Sequence, residues 1–327
     1  MDIIYNENET VTIDMIEYIK EAIEEFPEEC TKSTPTPASL HLFEVDEDTT
    51  KLKDDMKEIF HRITAKMLFV SRRGRPDIQL TIAFLCTRTT KSDLDDWKKL
   101  KRLLQYLHTT INLTLTLSAE NLAIIKWWVD ASYAVHQNMR SHTGATMSVG
   151  RGMIYSKSAK QKLNSKSSTE AELIGASDML GQTLWTLYFL RDQGYDNVNT
   201  ILHQDNTSAI ALEENGKMSS SQRTRHINIR YFFIKDKIEK DEISIVYCPT
   251  EDMIADYFTK PLQGSQFVRF RDIIMGVSLV SSKERVGKGV TLSTTQSSND
   301  NEKTDIAEGI GATRKSIRFS DNNENGD

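Results

Sequence analysis

Residues 166–194, KSSTEAELIGASDMLGQTLWTLYFLRDQG, constrain the fold more than any other stretch. Leu173, Ala176, Leu180, Leu184 and Leu187 recur at helical spacing, which predicts one long helix with an apolar stripe to bury. The segments around it read as strands. NLTLTLSAE, IIKWWVDASYAV and two short strands within SHTGATMSVGRGMIYSKS come before, and VNTILHQ and ISIVYC come after. Interleaved with these are a short helix at NTSAIALEEN, a basic helix at RTRHINIRYFFIKDKIEKDE and a closing helix from Glu251. Strands, long helix, strand, two helices, strand and helix predict an α/β unit in which helices flank a mixed sheet.

Up to about residue 108 the pattern is helical. Ile16, Ile19, Ile23 and Phe26 mark a helix over 13–26 that Pro27 ends, and TKSTPTPAS reads as a linker. Met56, Ile59, Phe60, Ile63 and Met67 mark a second helix over about 52–70. Pro76 with Asp77 suits the first turn of a third, and Ser92 followed by Asp95 resembles a capping box opening a fourth. RRGRP has the composition of a minor-groove hook, but it joins two apolar helices, so it reads as a structural turn. Beyond about residue 280, STTQSSNDNEKTD has little to bury and is expected to be disordered.

A chain of 327 residues with 38% hydrophobic content is long enough for two domains with adequate cores. Cys30, Cys86 and Cys248 are odd in number and far apart, which supports neither a disulfide framework nor a zinc site. No apolar run reaches bilayer-spanning length, and MDIIYNENET is unlike a signal peptide. The net charge of -6 averages acidic ends with basic interior clusters at 157–166 and 223–240, so local charge is the better guide to partners.

Acids sit at the ends of several elements. Asp130 follows the apolar WWV, Asp205 ends ILHQ, and Asp256 lies among Ile254, Ala255, Tyr257 and Phe258. Any one strand-end aspartate is usually a solvated or capping residue. Carboxylates delivered together from strands and helices repel one another unless a divalent cation sits among them. The long helix offers Glu170 and Glu172, about 200° apart around its axis and at opposite edges of the apolar stripe. Helical geometry alone does not choose between them.

WWVDASYA, KSSTEAELIGAS, HQDNTSAI, SQRTRHINIRYFFIKDKI and CPTEDMIADYFTKPL, in that order, resemble the RNase H domain of copia-type LTR retrotransposon Pol polyproteins. FHRITAKMLFV, RPDIQLTIAFL and DDWKKLKRLLQYL, upstream, look like the thumb and connection of the same family's reverse transcriptase. The resemblance implies an RNase H-like mixed five-stranded sheet flanked by helices, preceded by a small helical thumb-like domain and followed by a disordered tail. The expected division is 1–50 (helix and linker following the polymerase palm), 51–119 (thumb and connection), 120–276 (RNase H-like) and 277–327 (polar tail). It also implies that the helix acid is Glu172, in Ala171-Glu172-Leu173, with Glu170 a neighbour without ligand duty. The implied catalytic and metal-binding quartet is therefore Asp130, Glu172, Asp205 and Asp256.

The activity implied is endonucleolytic hydrolysis of the RNA strand of an RNA/DNA hybrid with two Mg²⁺ ions, Mn²⁺ being a substitute. All-oxygen ligands with no Cys/His cluster suit that metal. Ser167, Ser168 and Asn206 are expected beside the metals. Lys157, Lys160, Lys162 and Lys166 precede the long helix, and Arg223, Arg225, His226 and Arg230 follow the third acid. By themselves such runs read as solvated faces, but flanking an acidic pocket they are expected to track phosphates. The implied partners are the hybrid and the rest of the polyprotein, in the cytoplasm within virus-like particles, with access to the nucleus. CPTEDMIAD lacks the histidine that many cellular RNases H carry before the last aspartate. No Tyr-X-Asp-Asp motif precedes the thumb-like region, since Asp54-Asp55 and Asp95-Asp96 sit on predicted polar helix faces, so no polymerase activity is expected from this chain alone. The competing readings are a catalytically inactive hybrid-binding relic and an integrase or transposase; the order Asp, Glu, Asp, Asp disfavours the latter.

Overall fold

The computed structural model describes residues 1–195, 197–215 and 225–277. The expected disordered tail, apart from Val277, lies outside them. The chain opens with a hairpin that the residue pattern does not announce, β1 (Asp2–Tyr5) against β2 (Val11–Asp14). The first helix therefore begins later than its apolar spacing suggests, as α1 (Ile16–Glu24), with the Asp14 Oδ1 accepting the Ile16 N–H at 2.7 Å. β2 then pairs antiparallel with β3 (Leu115–Ala119), which itself pairs with the two-residue β6 (Gly150–Arg151).

The next three helices are α2 (Asp54–Arg73), α3 (Gln79–Cys86) and α4 (Leu94–Thr109). α4 is capped by Asp93, not Ser92: Asp93 accepts from the Asp96 N–H, and Asp96 reaches back to the Asp93 N–H. Asp96 was expected on a polar face but is buried, with both carboxylate oxygens 3.0 Å from Arg88 Nε. RRGRP is a structural turn. Arg75 is 1% exposed and forks onto Asp77 at 2.9 and 2.8 Å, while the Tyr106 hydroxyl donates to Asp77 at 2.7 Å. A guanidinium held this way has no face left for a groove. TKSTPTPAS, read as a linker, is strapped down: the Thr34 N–H donates to Thr109 Oγ1 at 3.1 Å, and Gln263 bridges Thr36 and Ala38 at 3.0 Å each.

The second half builds β4 (Ile124–Ser132), β5 (His142–Ser148), β7 (Tyr155–Lys160), α5 (Ser168–Asp192), β8 (Asn199–Gln204), α6 (Thr207–Asn215), α7 (Arg225–Glu239) and β9 (Ser244–Tyr247). The five-stranded sheet runs β7-β5-β4-β8-β9, with β4–β5 and β5–β7 antiparallel and β4–β8 and β8–β9 parallel. A parallel β4–β8 pair needs a crossover, and α5 supplies it, laying Leu173, Leu180 and Leu187 on Trp127 and Val129. Each such buried leucine contributes about 2 kcal/mol of apolar transfer. Three antiparallel strands followed by two parallel ones around a central helix form an RNase H-like sheet.

The expected closing helix from Glu251 is two 3₁₀ turns, Thr250–Asp252 and Ile254–Phe258, and α-helix resumes only after Pro261, as α8 (Gly264–Ile274). Tyr257, Phe258, Phe267 and Phe270 share a core with Ile19, Phe60 and Leu103 of the preceding helices, so this last segment is held from both sides.

Candidate active site

β4 and β8 run parallel and adjacent, so the acids at their ends emerge at one edge of the sheet. Asp130 lies on β4 and is 2% exposed; Asp205 follows directly after β8 and is half-buried. Asp256 comes from the Ile254–Phe258 turn, which packs over β5 opposite Asp130. That approach depends on Gly144, the cross-strand partner of Asp130. A Cβ there would stand 2.6 Å from Thr259 Cγ2 and 2.8 Å from both the Ala255 oxygen and Phe258 Cβ, closer than real contacts allow.

One oxygen from each of Asp130, Asp205 and Asp256 lies within 4.8 Å of the other two. Glu172 stands outside that trio but faces it from α5, buried, with Gln204 Nε2 3.5 Å from its Oε2. Gln204 is a positioning residue that the sequence reading missed: its Oε1 accepts the Asp205 N–H at 2.9 Å while its amide points at Glu172. Glu170 does not join the acids. Its Oε2 accepts the Lys166 N–H at 2.7 Å, and its own N–H donates to Ser167 Oγ, so it closes the start of α5.

The electrostatics follow from this crowding. Burial, then the charges of Asp130 and Asp205, push the Glu172 carboxyl well above the carboxylate range. Burial and Asp130 push Asp256 up to about 7 against the pull of Lys260. Burial and Asp130 also raise Asp205. These groups resist ionising together, which is the condition a bound cation relieves. Part of that role falls to Lys260, a second residue the sequence reading passed over, although it stands four places after Asp256. Its Nζ is 2.7 Å from Asp256 Oδ1 and 3.9 Å from Asp130 Oδ1, and the Thr259 hydroxyl donates to Asp130 Oδ2. Among the described residues the donors that cluster here are carboxylate oxygens, a set suited to a hard divalent ion.

The remaining expected contacts divide. Ser167 caps α5 and Ser168 opens it, both exposed; the Asn206 Oδ1 caps α6 by accepting the Ala209 N–H at 3.0 Å. Lys157, Lys160 and Lys162 line a concavity of about 240 Å³ together with Thr143 and Gln161. The Gln161 amide donates to the Ala171 carbonyl, one residue before Glu172, which ties this hollow to the helix that carries Glu172. Lys166 is exposed at the same end of α5. Arg230 pairs with Asp178 Oδ1 at 2.6 Å, tying α7 to α5, and Asp178 lines the same hollow. Arg223 and the side chains of Arg225 and His226 lie outside the described residues.

No protein-family profile matches the chain. A retrovirus-related Pol polyprotein from the tobacco transposon TNT 1-94 is 26% identical over 262 residues, 79% of this chain and 20% of its own length. The Arabidopsis transposon polyproteins RE2 and RE1 are 29% and 30% identical over 60% and 63% of this chain, and 14% of each of theirs. Among solved structures, an RNase H1 isolated from compost overlaps 42% of this chain and 92% of its own, at 15% identity and a TM-score of 0.31. A foamy viral protease–reverse transcriptase in complex with double-stranded DNA overlaps 61% of this chain at 10% identity and a TM-score of 0.37. The chain spans a fifth or less of the curated polyproteins it matches, and by sequence it is similar to the retrovirus-related Pol polyproteins of plant transposons.

Proposed function

We propose that the chain hydrolyses the RNA strand of RNA/DNA hybrids, as the RNase H part of a retrotransposon reverse transcriptase. The observation that carries this reading is the meeting of Asp130, Asp205 and Asp256 within 4.8 Å at the edge of an RNase H-like sheet. Those three and Glu172 would hold the Mg²⁺ ions. Bound there, a pair of ions supplies an activated water and charge relief at the leaving 3′ oxygen.

The protein's own part is placement. Asp130 is fixed by its strand and by the Thr259 hydroxyl, and Asp256 by the turn that Gly144 admits. Gln204 holds Glu172 toward the cluster, so the four acids meet a substrate already arranged. The basic hollow of Lys157, Lys160 and Lys162 takes backbone phosphates beside the helix that carries Glu172, and duplex shape with 2′-hydroxyl contacts selects the hybrid.

The test is cleavage of a labelled hybrid by the purified chain. Wild type with Mg²⁺ is expected to release fragments with 5′-phosphate ends. Asp130→Asn and Glu172→Gln should each abolish cleavage while leaving the circular-dichroism spectrum unchanged, and Glu170→Gln should cleave. A folded wild type that binds the hybrid but leaves it intact with both Mg²⁺ and Mn²⁺ would replace this reading with that of a hybrid-binding relic. Activity in Glu172→Gln but not Glu170→Gln would reverse the helix assignment.

A further inference from the structure

The reaction above leaves Lys260 without a task, yet no cationic group among the described residues lies nearer the acids. Its Nζ faces two of the three clustered carboxylates, 2.7 Å from Asp256 and 3.9 Å from Asp130. The backbone enforces this. The Lys260 N–H donates to the Asp256 carbonyl at 2.8 Å, closing a turn that folds the side chain back over the residue four places earlier, and Pro261 stops the chain from continuing. The stem borders a small cleft with Ala38, Leu80, Tyr257 and Phe267, while the side chain keeps 40% of its surface exposed. It is therefore tethered at its base and free to leave at its tip.

We propose that Lys260 is a built-in counter-ion of the acid cluster that competes with the divalent cation for Asp130 and Asp256. It draws the carboxylates together when no metal is bound and yields their oxygens when metal arrives. The reasoning is geometric: a hard cation in the cluster draws on the Asp256 carboxylate whose Oδ1 the ammonium holds at 2.7 Å, and two positive groups on one carboxylate repel. The inference rests on the metal-site reading, and the experiment separates the two.

Mn²⁺ binding is measured by calorimetry on the full chain as wild type, Lys260→Met, Lys260→Arg and Asp130→Asn, with thermal melts in EDTA and in saturating Mn²⁺. Lys260→Met is expected to bind Mn²⁺ about tenfold more tightly, the scale of one partly screened charge contact. It should also melt below wild type in EDTA and approach it in Mn²⁺, while Lys260→Arg stays near wild type in both. If Lys260→Met does not fold in EDTA, Lys260→Gln keeps a donor without the charge and gives the same comparison. Unchanged or weaker Mn²⁺ binding in the neutral variants overturns the competition. Undiminished binding in Asp130→Asn overturns the metal site itself.

Discussion

Replacing Asp205 by Asn tests the crowding of the acids directly, because it removes one charge and keeps the shape. An Asp205 oxygen lies within 4.8 Å of both Asp130 and Asp256. At an effective dielectric of about 20, two unit charges that far apart repel by about 3.5 kcal/mol. Three effects reduce the sum of two such contacts. Asp205 is only half-buried, Lys260 supplies an opposing charge, and Asp256, pushed up to about 7, is partly protonated at neutral pH. The net relief expected is about 1–2 kcal/mol. For a chain of this size that raises the melting temperature in EDTA by about 2–4 °C. The assay is a circular-dichroism melt of both proteins in EDTA and in Mg²⁺. Asp205→Asn should be the more stable without metal and should lose most of the stabilisation that Mg²⁺ gives wild type. A variant that melts at or below wild type in EDTA would refute the idea that these carboxylates strain the metal-free fold.

Gly144→Ala should destabilise by about 1–3 kcal/mol in urea titration through overpacking against the Asp256 turn, and should weaken Mn²⁺ binding as that turn is displaced. Gly181, in α5 with open space around it, is the contrast: Gly181→Ala should stabilise by about 0.5–1 kcal/mol, and equal losses at the two sites would contradict the packing described. Arg75→Ala, leaving Asp77 buried without its partner, should cost about 3–5 kcal/mol by the same titration, and a loss under 1 kcal/mol would return that arginine to the surface. Glu213 is fully buried, neither carboxylate oxygen has a hydrogen-bond partner among the described residues, and burial pushes it up to about 8 from 4.5. The folded state therefore keeps a proton that the unfolded chain releases. Its contribution is full below about pH 4.5 and is lost as pH rises through about 8, by up to about 1.4 kcal/mol per pH unit. Glu213→Gln should flatten the fall in stability over that window, and an unchanged slope would show that Glu213 is ionised or paired.

Much of this molecule could be read along the chain because the controlling interactions are local. The apolar period of α5, the branched and aromatic run of β4 and the order of strands and helices all record which face of an element is buried. The acids at the ends of β4 and β8 were visible for the same reason, since a charge directly after WWV has few places to go. Local pattern fails where a residue's environment comes from elsewhere in the chain. Asp96 and Arg75 look like surface charges until Arg88, Asp77 and Tyr106 close over them, and TKSTPTPAS looks free until residues 109 and 263 bind it. The hairpin β1–β2 gains its third strand from residues 115–117, a hundred positions away. Lys260 reads as one more lysine before a proline; only the pairing of β4 with β5, and the turn that Gly144 lets settle on them, set its ammonium between Asp256 and Asp130. What the residues alone determined were the elements and the chemistry available at their ends. Which of those groups meet was decided by tertiary packing, because charge–charge and ligand geometry depend on distances through space that no local period encodes.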